Sequence, residues 1–95
     1  MLEGQEKLNE VELEEAVARI SKEYRRALGH YGDFKSLHEG YAILLEEVDE
    51  LWDEIKRKKA DYELLSMEAD QVAAMAVKLS ISALKKARDP NPRPE

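Results

Sequence analysis

Apolar residues recur along this chain at intervals of three and four, and no stretch alternates apolar with polar over a strand's length, so the pattern predicts helices and no strands. In the first segment Leu13, Ala16, Val17, Ile20, Tyr24, Ala27 and Leu28 share one face. The two glycines of GHYGD, residues 29–33, then break the periodicity, which places a first helix over about residues 5–28. Ser36 followed by Glu39 has the capping-box spacing and opens a second helix. Its apolar stripe is Leu37, Tyr41, Leu44, Leu45, Val48, Leu51, Trp52 and Ile55. A third stripe follows with no intervening Gly or Pro: Leu64, Leu65, Val72, Met75, Ala76, Leu79 and Ala83. At about 100° per residue, one straight helix from Leu37 to Ala87 would point these two stripes in roughly opposite directions. A turn is therefore expected in KRKKAD, with Lys56 to Lys59 at a helix C-terminus and Asp61 as the next N-cap. The second and third helices then form an antiparallel pair. Ala73, Ala74 and Ala76 remove bulk and admit a close neighbour. The last segment, DPNPRPE, cannot continue a helix and is expected to fray. The expected architecture is an all-α, antiparallel helical bundle of about three helices, with residues 1–88 as one domain and 89–95 as a Pro-rich tail.

Composition adds an expectation about assembly. A chain of 95 residues with one Phe and one Trp buries a modest core alone, so oligomerisation, as a homodimer or homotetramer, is expected to complete the bundle. With no Cys, disulfides, thiolate metal sites and cysteine nucleophiles are excluded. A formal net charge of -6 disfavours a nucleic acid polymer as partner. No segment has the roughly 20 apolar residues that cross a bilayer, and the opening MLEGQEKLNE lacks the basic end and apolar run of a leader. A soluble, cytoplasmic protein with no membrane partner is the expectation.

The carboxylates raise the chemical question. Glu46, Glu47 and Glu50 form EExxE on the second helix, and Glu47 and Glu50 sit together on the flank of the apolar stripe. Glu46 points further toward solvent, and Glu54 extends the flank by a turn. Alone, this is an ordinary solvated face. Glu68 is different, because it lies at the centre of the third stripe between Leu65, Val72 and Met75. A helix that buries this stripe buries a carboxylate, at a cost of several kcal/mol if it stays charged and unpaired. An inward Lys or Arg, a hydroxyl such as Tyr24 or Tyr41, protonation of Glu68, or a metal ion would each relieve it. Hard divalent cations prefer carboxylate oxygens, and such an ion would let an acidic protein hold an anion.

EExxE on one helix followed by ExxD on the next resembles the signature of the all-α NTP pyrophosphatase superfamily, the MazG-like enzymes. EEVDE, residues 46–50, fits the first half, and 17 residues separate Glu50 from Glu68. The likeness covers about residues 34–79 and includes HEGYAILLEEVDELWDEI. The second half departs from the pattern: three residues after Glu68 stands Gln71 where the family has Asp. The neighbouring Asp70 is rotated by about 100° and is a poor substitute. The resemblance implies a Mg²⁺-dependent nucleoside triphosphate pyrophosphohydrolase acting on an NTP, dNTP or modified nucleotide, with Mn²⁺ as a substitute ion. It would use Glu47, Glu50 and Glu68 as metal ligands and Gln71 as a weakened fourth. Glu46 would be the catalytic group orienting the attacking water, or a further ligand. His38 and Tyr41, ahead of the motif, are candidate contacts to base or ribose. A catalytically weakened nucleotide- or metal-binding module and a non-enzymatic helical oligomer are the alternatives. Arg25, Arg26 and Lys78 are candidate phosphate contacts, Trp52 a core or interface residue, and His30 a loop residue.

Overall fold

The computed structural model describes residues 2–95, with side chains from residue 9 onward. The chain is all-α: α1 (Leu2–Tyr31), α2 (Leu37–Ile55) and α3 (Tyr62–Arg88), with no strand among the described residues. Gly29 does not stop α1, which runs on to Tyr31. Gly32 does stop it, by taking the left-handed backbone (φ +68) while its N–H donates to the Leu28 carbonyl at 2.9 Å. At the start of α2 the Ser36 hydroxyl accepts from the Glu39 N–H at 3.0 Å. The reverse arm reaches one residue further back than expected, with the Glu39 carboxylate accepting from the Lys35 N–H at 3.2 Å.

The turn between α2 and α3 is where phase required it. Asp61 caps α3 by accepting from the Leu64 N–H at 3.1 Å. Glu54, read from sequence as part of an open acidic flank, is buried and holds this turn from the inside. Its carboxylate accepts from the Asp61 N–H at 2.8 Å and from Arg57 Nη1 at 3.0 Å. The Asp61 backbone bond first, and the Arg57 bond second, hold its pKa below the usual carboxylate value.

α2 and α3 pack as an antiparallel pair, from Glu54 beside Asp61 at one end to Gly40 beside Leu79 at the other. Gly40 is buried there and lets the backbones close: a Cβ would meet Phe34 Cδ2 at 2.7 Å and Leu79 Cδ1 at 2.8 Å. Gly40→Ala gains helix propensity but forces an aromatic ring aside in a packed site. Destabilisation of about 1–2 kcal/mol is expected in urea unfolding, and Gly40→Leu should be worse.

α1 packs on α3, and its backbone stands farther from that of α2. Three helices thus share only one central member, α3, and the core is small. Ala27, Ala74 and Met75 are its buried apolar residues, with Ile20, Tyr24, Phe34, Ile43 and Leu44 packed around them. Much of the apolar patterning is consequently uncovered. On α1, Val11, Leu13 and Val17 are exposed, as are Tyr41, Leu45, Val48, Trp52 and Ile55 on α2. The single stripe expected on α2 is two faces: one lies against α3, the other faces away from the chain.

The tail, expected to fray, is docked against the bundle. Its three prolines carry the chain back to the start of α2, where the Glu95 carboxylate accepts from the Leu37 and His38 N–H groups and faces Lys86 Nζ at 3.1 Å. Lys86 and these backbone N–H groups hold Glu95 at a pKa of about 2, overcoming the desolvation that opposes them.

Candidate metal centre

The antiparallel pairing brings one turn of α2 against one turn of α3 at the acidic residues. Glu47 and Glu50 are three apart and project from one side of α2 toward Glu68. Each of the three offers a carboxylate oxygen within 4.8 Å of the others. Glu47 and Glu68 are half-buried and Glu50 is exposed. Glu47 Oε2 and Glu68 Oε2 are both shielded from solvent without a hydrogen-bond partner. Among the described residues no Lys, Arg or Tyr pairs with Glu68, so cation pairing and hydroxyl bonding do not relieve its burial.

Electrostatics follow from that geometry. Burial raises the Glu47 carboxyl to about 7, and repulsion from Glu50 and then Glu68 adds to it. Burial likewise pushes Glu68 upward, with Glu50 next in effect. A cluster of this kind accepts either protons or a hard divalent cation. The two shielded lone oxygens and the all-oxygen donor set fit Mg²⁺ or Mn²⁺.

The surroundings supply the opposite charge. Because the backbones of α1 and α2 stand apart, a groove runs between them over α3. It contains a cavity of about 140 Å³ lined by Arg26, Tyr31, Phe34, Glu47, Gln71 and Lys78 among others. Arg26 and Gln71 also border a neighbouring hollow of about 290 Å³ with Arg19, Lys22 and Asp70. Lys78 is buried with its ammonium 4.3 Å from the centre of the Phe34 ring. Among the described residues it makes no ion pair. Arg26 is held by Glu23 on its own helix, and Asp70 is engaged by Arg19 of α1 at 2.9 Å. Asp70 is thus committed to the α1–α3 contact, on a different side of α3 from Glu68.

Other residues singled out by sequence fall elsewhere. Glu46 is exposed and outside the three-carboxylate cluster. Gln71 lines the groove, one turn from Glu68. His38 and Tyr41 are exposed beside Glu95 at the start of α2, where His38 Nδ1 is 3.2 Å from the Glu95 carboxylate. The structure does not bring them to the cluster. Arg25 borders a separate apolar hollow with Tyr24, Val77 and Ile81. His30 sits in the last turn of α1 against Tyr31, not in a loop.

Sequence offers Lys78 as a candidate phosphate contact and does not place it in a groove of its own chain. Its spacing from Met75 and Ala74 already put it beside the buried face of α3, and that phase was the available signal. Compared with family models, curated proteins and solved structures, the chain matches none.

Proposed function

We propose that this chain is a divalent-cation-binding helical module whose groove holds a phosphorylated small molecule, with little or no hydrolysis. The reading is carried by the convergence of Glu47, Glu50 and Glu68, two of them with shielded, unpartnered oxygens. When bound, the cation would neutralise the carboxylates and offer its remaining positions to ligand oxygens. Lys78 and Arg26 line the same groove and would meet the anionic part of that ligand. The resemblance to MazG-like proteins makes a nucleotide the first ligand to test. It also supplies the second reading, an active pyrophosphohydrolase, for which Glu46 would have to reach from its exposed position and Gln71 would have to serve without a charge.

Thermal melts with Mg²⁺ and a panel of nucleoside triphosphates, combined with pyrophosphate release, separate these readings. Stabilisation by Mg²⁺ and a further gain with nucleotide, without turnover, is the expected result. Sustained pyrophosphate release would establish the hydrolase, and no response to Mg²⁺ or Mn²⁺ at saturating levels would remove the metal site. Gln71→Asp adds a carboxylate one turn from Glu68. It should tighten Mg²⁺ binding by on the order of tenfold while destabilising the metal-free protein through added repulsion.

A further inference from the structure

On the side of α1 away from the acidic groove, a hollow of about 290 Å³ opens between α1 and α3. It shares no lining residue with the two hollows of the groove. Val17, Ile20 and Tyr24 wall it from α1, and Ala73, Val77 and Ile81 from α3. The α3 residues recur every four positions, so the walls run for about 12 Å along the helix. The small side chain of Ala73 leaves depth that a larger residue would fill. Charge sets this hollow apart. In a chain of net charge -6, the groove hollows contain Glu23, Glu47 and Asp70, and the shallow one beside His38 contains Glu95. This one contains no carboxylate, and its single charged residue is Arg25. Among the described residues Arg25 enters no ion pair. Ser21, four residues earlier on the same edge of α1, adds a hydroxyl beside it.

We propose that this hollow binds a small apolar monocarboxylic acid, with its carboxylate held by Arg25 and Ser21 and its hydrocarbon body lying between α1 and α3. A guanidinium donates two parallel N–H bonds to a carboxylate, and the Ser21 hydroxyl supplies a third donor. One unpaired cation on a protein of net charge -6 favours a singly charged head. A phosphate monoester would bring a second negative charge with no cation in the hollow to meet it. The walls select the rest of the ligand. Each methylene taken from water between these aliphatic side chains tightens binding by about fourfold, until the length of the hollow is filled. Polar groups gathered at one edge of a largely apolar concavity are the usual composition of a small-molecule site. The inference does not rest on the metal centre, because none of Glu47, Glu50 and Glu68 lines this hollow.

Octanoate below its micellar concentration is the probe, added in chelator so that no metal takes part. In heteronuclear NMR spectra it should shift the amide signals of Ser21, Ala73 and Val77 saturably and leave the indole signal of Trp52, the sole tryptophan, in place. Octanoate should bind roughly 15-fold more tightly than hexanoate, which has two methylenes fewer. Octanol, without the charge, should bind about tenfold more weakly than octanoate. Arg25→Gln should remove that difference between acid and alcohol while octanol still binds. Ala73→Leu should fill the hollow and abolish both, and Val77→Phe serves the same purpose if Ala73→Leu fails to fold. No saturable shift at millimolar octanoate overturns the site. Equal binding of octanoate and octanol to the unaltered protein overturns the anionic head. Shifts confined to Tyr41 and Trp52 would put the acid on the exposed face of α2 and overturn the hollow as its place. If another copy of the chain covers the hollow, dilution alone will shift the Ala73 and Val77 signals and octanoate will not, which also overturns the proposal.

Discussion

Glu68→Gln should keep the fold and remove Mg²⁺-dependent stabilisation. The amide has nearly the shape of the carboxylate, so packing against α2 changes little, and a charge shielded from solvent without a partner disappears. Metal-free Glu68→Gln is therefore expected to melt at or above the temperature of the unaltered protein at pH 8. Had Glu68 been paired with a buried cation, its removal would have stranded that cation at a cost of about 3–5 kcal/mol. The described residues provide no such partner. The unaltered protein should gain about 2.7 kcal/mol when free Mg²⁺ is a hundredfold above its Kd. The variant, with one of three convergent carboxylates neutralised, should gain almost nothing at that concentration. A variant that melts lower with and without Mg²⁺, alongside an unaltered protein that ignores Mg²⁺, would make Glu68 a packing residue and remove the metal centre.

A rise in pH should weaken the metal-free protein while strengthening its hold on the metal. The Glu47 carboxyl is raised in the folded state from its ordinary 4.5 to about 7, so between these values the folded protein binds more protons than the unfolded one. Its contribution to stability is then complete below about pH 4.5 and is lost as pH rises through 7. Glu68, shifted in the same direction, adds to this. Allowing for solvent around the half-buried Glu47, the loss amounts to on the order of 1–2 kcal/mol. Divalent cations bind the deprotonated groups, so binding should release protons and strengthen by about tenfold from pH 6 to pH 8. Urea unfolding at pH 5 and pH 8, with and without Mg²⁺, measures both effects: the decline should appear in chelator and vanish in saturating Mg²⁺. Stability that rises from pH 5 to pH 8 in chelator would show that the carboxylates are not crowded as the geometry has them. Glu95 acts with the opposite sign. Its pKa of about 2 makes the tail's contact with α2 persist through this range and weaken only in strong acid.

The helices and the turn between α2 and α3 were legible because local rules determine them. Three-and-four spacing, the Ser36 and Asp61 caps and the phase break near Lys56–Asp61 act within a few residues, and each appears in the structure. So does the conflict at Glu68, since phase alone placed a carboxylate on an inward face. The sequence misled where the outcome depends on which helices meet. The broad stripe of α2 looked like one core face, but α1 lies against α3 and leaves Trp52 and its neighbours uncovered. Periodicity says which residues share a face and not how wide a neighbour covers it.

Glu54 shows the same limit at one residue. It read as another member of the acidic flank, and only the return of the chain at Asp61 gives it a backbone N–H to hold and so allows its burial. Glu95 likewise meets the start of α2 across 58 residues of chain. By itself the sequence determined three amphipathic helices, the caps that open α2 and α3, and an excess of carboxylate on two of them. The tertiary structure decided which carboxylates converge, that Asp70 is spent on Arg19, that Lys78 is buried in the groove, and that half of the apolar face of α2 remains exposed. Propensity, capping and phase are properties of neighbours in sequence, whereas convergence and exposure follow from the order in which the helices pack.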